Sequence, residues 1–289
     1  ALRAARAGRV KAAAEAAPSA GTAPLAGPVA GSTRLWEVDV ARTVAIVMMV
    51  VYHVGWDVHF LAPQLAIDPF SGGWRALQVA TGSSFLFIVG VSLAISQGRS
   101  DARGAPWRAA YRRHARRAAT VIGAALLVSV ATFVALGSED YIRFGILHCI
   151  GASMLIAPFF WRLGPWVAVL GGGAIVAGIA LMSVEVGTSW LLWLGLRPDS
   201  GSAGVDYYPL LPWIGPVLIG LAVGALLYPH GKRGRFTEWL RTPPRRGIAI
   251  GSPGRHSLPI YLVHQPILIP LVALGLLAAG VDIDTGGFD

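Results

Sequence analysis

Charge is scarce in this chain and cysteine nearly absent. Of its 289 residues only 13% are Asp, Glu, Lys or Arg, and Cys149 is the one cysteine. A soluble domain of this length needs more charge to cover its surface, so the composition excludes an ordinary water-soluble globule. A single cysteine excludes an intramolecular disulfide and says nothing about redox compartment. There is no glycine-rich phosphate loop ending in Lys-Ser/Thr, no Cys/His zinc spacing and no G-x-S-x-G elbow, which removes three common enzyme classes. No groove-reading or base-stacking module accompanies the formal net charge of +9, so nucleic acid is not the expected partner. No internal repeat is evident, which weakens a transporter reading.

What the chain has instead is apolar sequence, with 54% hydrophobic residues and a mean hydropathy of +0.59. A helical span needs about 20 apolar residues, because the hydrocarbon core is about 30 Å thick and a helix rises about 1.5 Å per residue. Runs at roughly 38–60, 77–97, 117–136, 144–161, 165–183, 209–228 and 257–279 meet this need. The expected fold is therefore an all-α, polytopic bundle of about seven transmembrane helices in the lipid bilayer. Trp190–Leu196 is too short to span and reads as an interfacial or re-entrant piece. Pro216, Pro259, Pro266 and Pro270 fall within spans, where neighbouring helices can satisfy the freed carbonyls. Residues 1–33, rich in Ala, Gly and Pro with Arg3, Arg6, Arg9 and Lys11, read as a disordered basic extension. The transmembrane domain then covers 34–280, and 281–289 forms a short acidic tail. The first apolar run reads as an anchor rather than a removed signal.

Basic residues give the expected orientation. With the N-terminus cytoplasmic, 20 of the 24 Lys and Arg fall in inner segments and three (Arg75, Arg143 and Arg197) outside, with Arg42 at the inner mouth of the first span. This is the positive-inside pattern, and it places the C-terminus outside. Asp68, Glu139, Asp140, Glu185, Asp199, Asp206, Asp282, Asp284 and Asp289 lie in the outer segments.

Ionisable groups inside spans are costly and mark function by default. His53 and Asp57, four apart on the first span, share a helix face, so the carboxylate is expected to orient the imidazole as a catalytic pair. The competing role is a structural hydrogen bond between helices. His59, on a different face near the outer end, is a second catalytic candidate. His148 lies 14 residues above Arg162, and His53 lies 14 above Asp39, so both stand about 21 Å up and are expected to share a pocket. On the last span Ser257, Tyr261 and His264 share a face. His264, nine residues above Arg255, is expected about 14 Å up, deeper than the other two. These unequal depths argue against a metal, and none is expected. Glu37, Asp39 and Arg42 at the inner end read as structural charges, with Asp39 and Arg42 spaced to pair with each other or with the basic loops.

These residues lie in five stretches that together resemble a known family: Glu37-Val-Asp39-Val-Ala-Arg42 leading to Tyr52-His53, Phe85–Gly90, Phe144–His148, Asp206–Trp213 and Ser257–Pro266. Over roughly 34–275 the chain is similar to the bacterial branch of the heparan-α-glucosaminide N-acetyltransferase catalytic-domain family. The resemblance implies a multi-pass protein of the bacterial cytoplasmic membrane that moves an acetyl group from acetyl-CoA to an amino sugar or other glycan. In the acyltransferase reading, His148, Asp206, Tyr261, His264 and Gln265 are the candidate substrate- or cofactor-binding residues. In lysosomal members a histidine in the outer loop after the first span is associated with catalysis. That loop offers His59 here, with Gln64 nearer the matching place, and Thr81 stands where those enzymes carry an acidic residue. A proton-coupled transporter or flippase using the same histidines as a relay is the alternative. The sequence is compatible with an oligomer.

Overall fold

In a computed structural model the described residues are 34–198 and 202–284. The extension expected at 1–33, Asp199 and the end of the acidic tail lie outside them. The described chain forms α1 (Trp36–Leu61), α2 (Gly72–Ala102), α3 (Trp107–Asp140), α4 (Ile146–Ile156), α5 (Trp166–Leu181), α6 (Leu210–Leu227), a short α7 (Arg245–Ile250) and α8 (Ser257–Ala278). A 3-10 segment, Ala157–Leu163, prolongs α4. Two two-residue strands, β1 (Glu185–Val186) and β2 (Arg197–Pro198), pair in parallel.

The chain is thus an all-α polytopic membrane protein. Six helical stretches among the described residues are long and apolar enough to cross a bilayer. The run expected at 165–183 is the exception: α5 has 16 residues, about 24 Å, which is shorter than the hydrocarbon core. Trp190–Leu196 forms a 3-10 turn followed by hydrogen-bonded turns. Its Trp193 and Leu194 carbonyls accept the N–H groups of Leu210 (2.7 Å) and Leu211 (3.1 Å), hooking the segment onto the start of α6.

Lipid offers no hydrophobic drive for helix association, so backbones approach where side chains are small. A Cβ at Gly90 of α2 would stand 2.0 Å from the Val217 carbonyl of α6, and one at Gly220 would stand 2.1 Å from the Phe87 carbonyl. The α2–α6 contact is therefore backbone on backbone, with Leu86, Leu93, Val217 and Leu221 buried around it. Gly171 of α5 and Gly215 of α6 make a similar approach. One face of α3 points outward instead, with Leu126, Leu127, Val130, Phe133 and Val134 all exposed, as a lipid-facing helix requires.

Helices α1 and α8 run side by side in the same direction. Their register is pinned at one end by Gly254 N–H donating to Thr43 Oγ1 (2.9 Å) and at the other by Asp284 N–H donating to Leu61 O (2.8 Å). The basic end is tied by ion pairs. Glu37 receives Arg233 at 2.7 Å, and buried Asp39 receives Arg42 at 3.1 Å and Arg255 at 3.7 Å. The expected Asp39–Arg42 contact is present, and Arg42 also donates to Ser92 Oγ on α2 (2.6 Å).

Candidate active site

A cavity of about 480 Å³ lies between α1, α2, α3 and α8, roofed by the segments flanking Ile142 and Asp206. That size suits a small ligand or one arm of a larger one. On α1 the lining residues Met49, Tyr52, His53, Trp56, Asp57, Phe60 and Leu61 recur at spacings of three and four, the signature of a single helix face. On α8 the polar lining is Tyr261, His264 and Gln265.

The two histidines meet here. Their rings stand edge to face with centroids 4.6 Å apart, so the expected depth difference does not exist. The reference residues were at fault: the Gly254–Thr43 hydrogen bond puts Gly254 level with Thr43, a full turn above Asp39. Counted from that bond, each histidine stands ten residues up, about 15 Å. Arg255 reaches back down to Asp39 only through its long side chain.

Each ring is held by its own helix. His53 Nδ1 lies 2.8 Å from Met49 O, and His264 Nδ1 lies 2.5 Å from Tyr261 O. A carbonyl only accepts, so in a neutral ring Nδ1 carries the proton and Nε2 keeps its lone pair. His264 Nε2 is buried without a partner.

The expected His53–Asp57 pair is not made. Asp57 Oδ1 instead accepts from Gln265 Nε2 (3.0 Å) across the α1–α8 contact, while His53 turns back to Met49. Sharing a helix face places two residues together, but the nearer donors decide the bonds. Because the carboxylate can only accept, Gln265 must present its NH₂ to Asp57 and its Oε1 to the cavity. Asp57 Oδ2, Gln265 Oε1, His264 Nε2 and Tyr52 Oη are all buried, unpartnered and on cavity-lining residues. They are four of the five such atoms among the described residues. Tyr52 was missed as a site residue from sequence, although projecting the helix face of His53 and Asp57 forward and back includes it.

Asp206, in the segment before α6, fixes the roof. Its Oδ2 accepts the Ile146 N–H at 3.0 Å, tying the roof to the start of α4. Burial pushes its carboxyl up to about 6, opposed by the hydrogen bonds from Ile146 N–H and the Tyr261 hydroxyl.

The remaining candidates lie elsewhere. His148 is not among the lining residues; its Nδ1 accepts the Gly145 N–H (3.3 Å) and its ring stacks on Phe144, so it closes the first turn of α4. Equal height did not bring it to His53, because α4 packs chiefly on α2, α3 and α6 rather than on α1 or α8. His59 Nδ1 bonds Ile67 O (2.7 Å) and bridges the α1–α2 loop outside the cavity. Gln64 donates to Asp282 O (2.6 Å) in the C-terminal segment. Thr81 lines the cavity, its hydroxyl bonded to Leu77 O (2.7 Å). Ser257 is not among the lining residues.

The model of the family described as heparan-alpha-glucosaminide N-acetyltransferase, catalytic, matches residues 34–266. The chain belongs to this family. The match runs from just before α1 through Pro266 and so includes Tyr52, His53, Asp57, Asp206, Tyr261, His264 and Gln265. No curated protein and no solved structure matches the chain significantly. Membership of the heparan-alpha-glucosaminide N-acetyltransferase family makes this an integral membrane acetyltransferase, and acetyl-CoA is the donor in the family generally.

Proposed function

We propose that this chain transfers the acetyl group of acetyl-CoA to the amine of an amino sugar or related glycan bound in the α1–α8 cavity. The observation that carries the reading is the set of four orphaned atoms. Asp57 Oδ2, Gln265 Oε1 and His264 Nε2 are acceptors, and Tyr52 Oη either donates or accepts. Such a lining calls for a ligand rich in N–H and O–H donors, with the N–H of a neutral amine opposite the carboxylate. An amino sugar has this pattern.

His264 Nε2 is the base in this reading. It takes a proton from the attacking nitrogen as the new N–C bond forms at the thioester carbonyl. It then passes the proton to the departing CoA sulfur, leaving an amide and free thiol. Asp57 and Gln265 hold the acceptor, and His53 buttresses the His264 ring. The cavity, at about 480 Å³, has room for the acetyl thioester and a sugar ring but not for the CoA nucleotide, which stays outside it.

The chain is assigned to the bacterial cytoplasmic membrane with the N-terminus inside. Arg99, Arg233 and Arg255 belong to the basic segments at one end of the helices, and positive-inside topology makes that end cytoplasmic. In this reading the acetyl thioester is supplied from the cytoplasmic side and the acceptor from the outer side.

Purified protein in detergent tests this with acetyl-CoA and candidate amino sugars, read by CoA release and by mass spectrometry of the sugar. Acceptor-dependent thiol release with an acetylated product is expected. Proton-coupled uptake into vesicles without any CoA release would make the chain a transporter and overturn the reading.

A further inference from the structure

The cavity has two unlike walls. On the α1–α8 side stand the four unpartnered atoms, and two of the residues carrying them are deeply buried, Asp57 at 3% and Tyr52 at 6% exposure. The opposite wall, on α3 short of its terminal Asp140, consists of Val128, Ala131, Thr132, Ala135 and Leu136, spaced as one helix face. Thr132 is the polar member of this set, and its hydroxyl is already engaged. It donates to Val128 O (2.8 Å) and accepts the Ile142 N–H (3.1 Å). Leu262 and Ile269 of α8 extend the apolar side.

The apolar side borders the lipid. Helix α3 packs chiefly on α4 and helix α8 on α1, while α3 and α8 scarcely touch each other. Along α8 only Leu276 is buried. Ala131, Ala135 and Pro266 line the cavity and are themselves exposed. Beside them Val130, Val134, Val263 and Ile267 are exposed on the same two helices. Proteins leave few voids empty, so a seam that side chains do not fill is filled by hydrocarbon of the bilayer. The lining stretch of α3, from Val128 onward, is the half of that helix remote from Arg108, Arg112, Arg113, Arg116 and Arg117. In the orientation proposed above, it faces the outer leaflet.

We propose that the acceptor is lipid-borne: its amine-bearing head lies against the polar wall, and its hydrocarbon tail leaves through the α3–α8 seam into the outer leaflet. The inference rests on the amine-acceptor reading above. A free sugar carries hydroxyls around its whole ring, and those turned toward α3 would be buried without partners, which is costly. An amphiphile matches polar to polar and apolar to apolar. The cavity of about 480 Å³ is taken up by the head and the acetyl thioester, so the tail lies outside it. There Val130, Val134, Val263 and Ile267 offer an apolar track. An ordinary bilayer chain would also fill the seam, but it would leave the four polar atoms unpartnered.

Methyl glucosaminide, dodecyl glucosaminide and dodecyl glucoside serve as probes, the last having the tail but no amine. The full chain in a detergent without a sugar head is used as wild type, Ala131→Leu and Ala135→Phe. Retention of each probe is read by native mass spectrometry, and acetyl transfer from acetyl-CoA by kcat/KM. The wild type is expected to retain dodecyl glucosaminide over both other probes. It is also expected to acetylate it about tenfold better than methyl glucosaminide, the worth of roughly two buried methylenes. Either substitution fills the seam and should bring that ratio toward one, whereas general damage to the fold lowers both rates and leaves the ratio standing. Equal kcat/KM of the wild type for the two glucosaminides would overturn the lipid-borne acceptor and leave the acetyltransfer reading intact. Equal retention of dodecyl glucoside would also overturn it, making the occupant an ordinary bilayer chain, as would a ratio unchanged in both variants. Selective retention of dodecyl glucosaminide without any acetyl transfer would support the lipid site and sink the acetyltransfer reading.

Discussion

His53 and His264, from the first and last long helices among the described residues, meet edge to face with ring centroids 4.6 Å apart. Each donates its Nδ1–H to a carbonyl of its own helix, so both rings are oriented before any substrate arrives. The contact makes the α1–α8 interface one wall of the cavity, and the proposed mechanism gives the two histidines unequal roles there.

His264→Ala should lower the acetyl-transfer rate by roughly 10²–10⁴-fold, the usual contribution of a positioned general base. His53→Phe keeps an aromatic edge against His264 and should cost much less. Steady-state kcat values for the two variants check this. A larger loss for His53→Phe than for His264→Ala would assign the base to His53.

The Asp57–Gln265 bond divides binding from stability. Gln265→Leu removes the donor to Asp57 Oδ1 and leaves both carboxylate oxygens buried without it. A destabilisation of about 1–3 kcal/mol is expected, read as a lower midpoint of thermal unfolding in detergent. Asp57→Asn keeps the shape but loses the charge facing the acceptor amine. It should raise the acceptor KM more than it lowers kcat.

Gly90→Ala should weaken the central helix pair. The added Cβ would stand 2.0 Å from Val217 O, which is backbone and cannot swing aside. Overpacking of this kind costs about 1–3 kcal/mol. Gly123→Ala is the control, since a Cβ there meets nothing within 4 Å. Unfolding midpoints should fall for the first variant and stay unchanged for the second.

Asp206 gives stability a pH dependence of definite sign. Its carboxyl is raised from 3.8 to about 6 in the folded chain, so between these values the folded state binds the proton and the unfolded state does not. Stability from this group therefore falls as pH rises from about 4 to 6 and levels off above. In Asp206→Asn that portion of the slope should vanish, as measured by thermal unfolding at pH 4, 5, 6 and 7. A slope identical to that of the wild type would show that Asp206 does not carry it.

The limits of the apolar runs and the clustering of basic residues were legible in the chain itself. Both depend on local composition, and the bilayer acts on composition one segment at a time. The α1 face of the cavity was nearly legible too, because His53 and Asp57 lie on one helix and its period is known. Asp39–Arg42, three residues apart, was within reach of the same rule. Local sequence could not say which residue of α8 stands opposite which residue of α1. That register is set by Gly254 docking on Thr43 and by Gln265 meeting Asp57, contacts between segments more than 200 residues apart. The same long-range packing turned His148 toward Phe144 and His59 toward Ile67, away from the cavity.

Composition, acting through the hydrophobic core of the bilayer, made this chain a helical membrane protein, and its five ordered motifs pointed to an acetyltransferase family. Tertiary structure alone decided which polar atoms are left without partners around one cavity. Hydrogen bonding inside a membrane protein goes to the nearest available group, and only helix register and rotation determine which group is nearest.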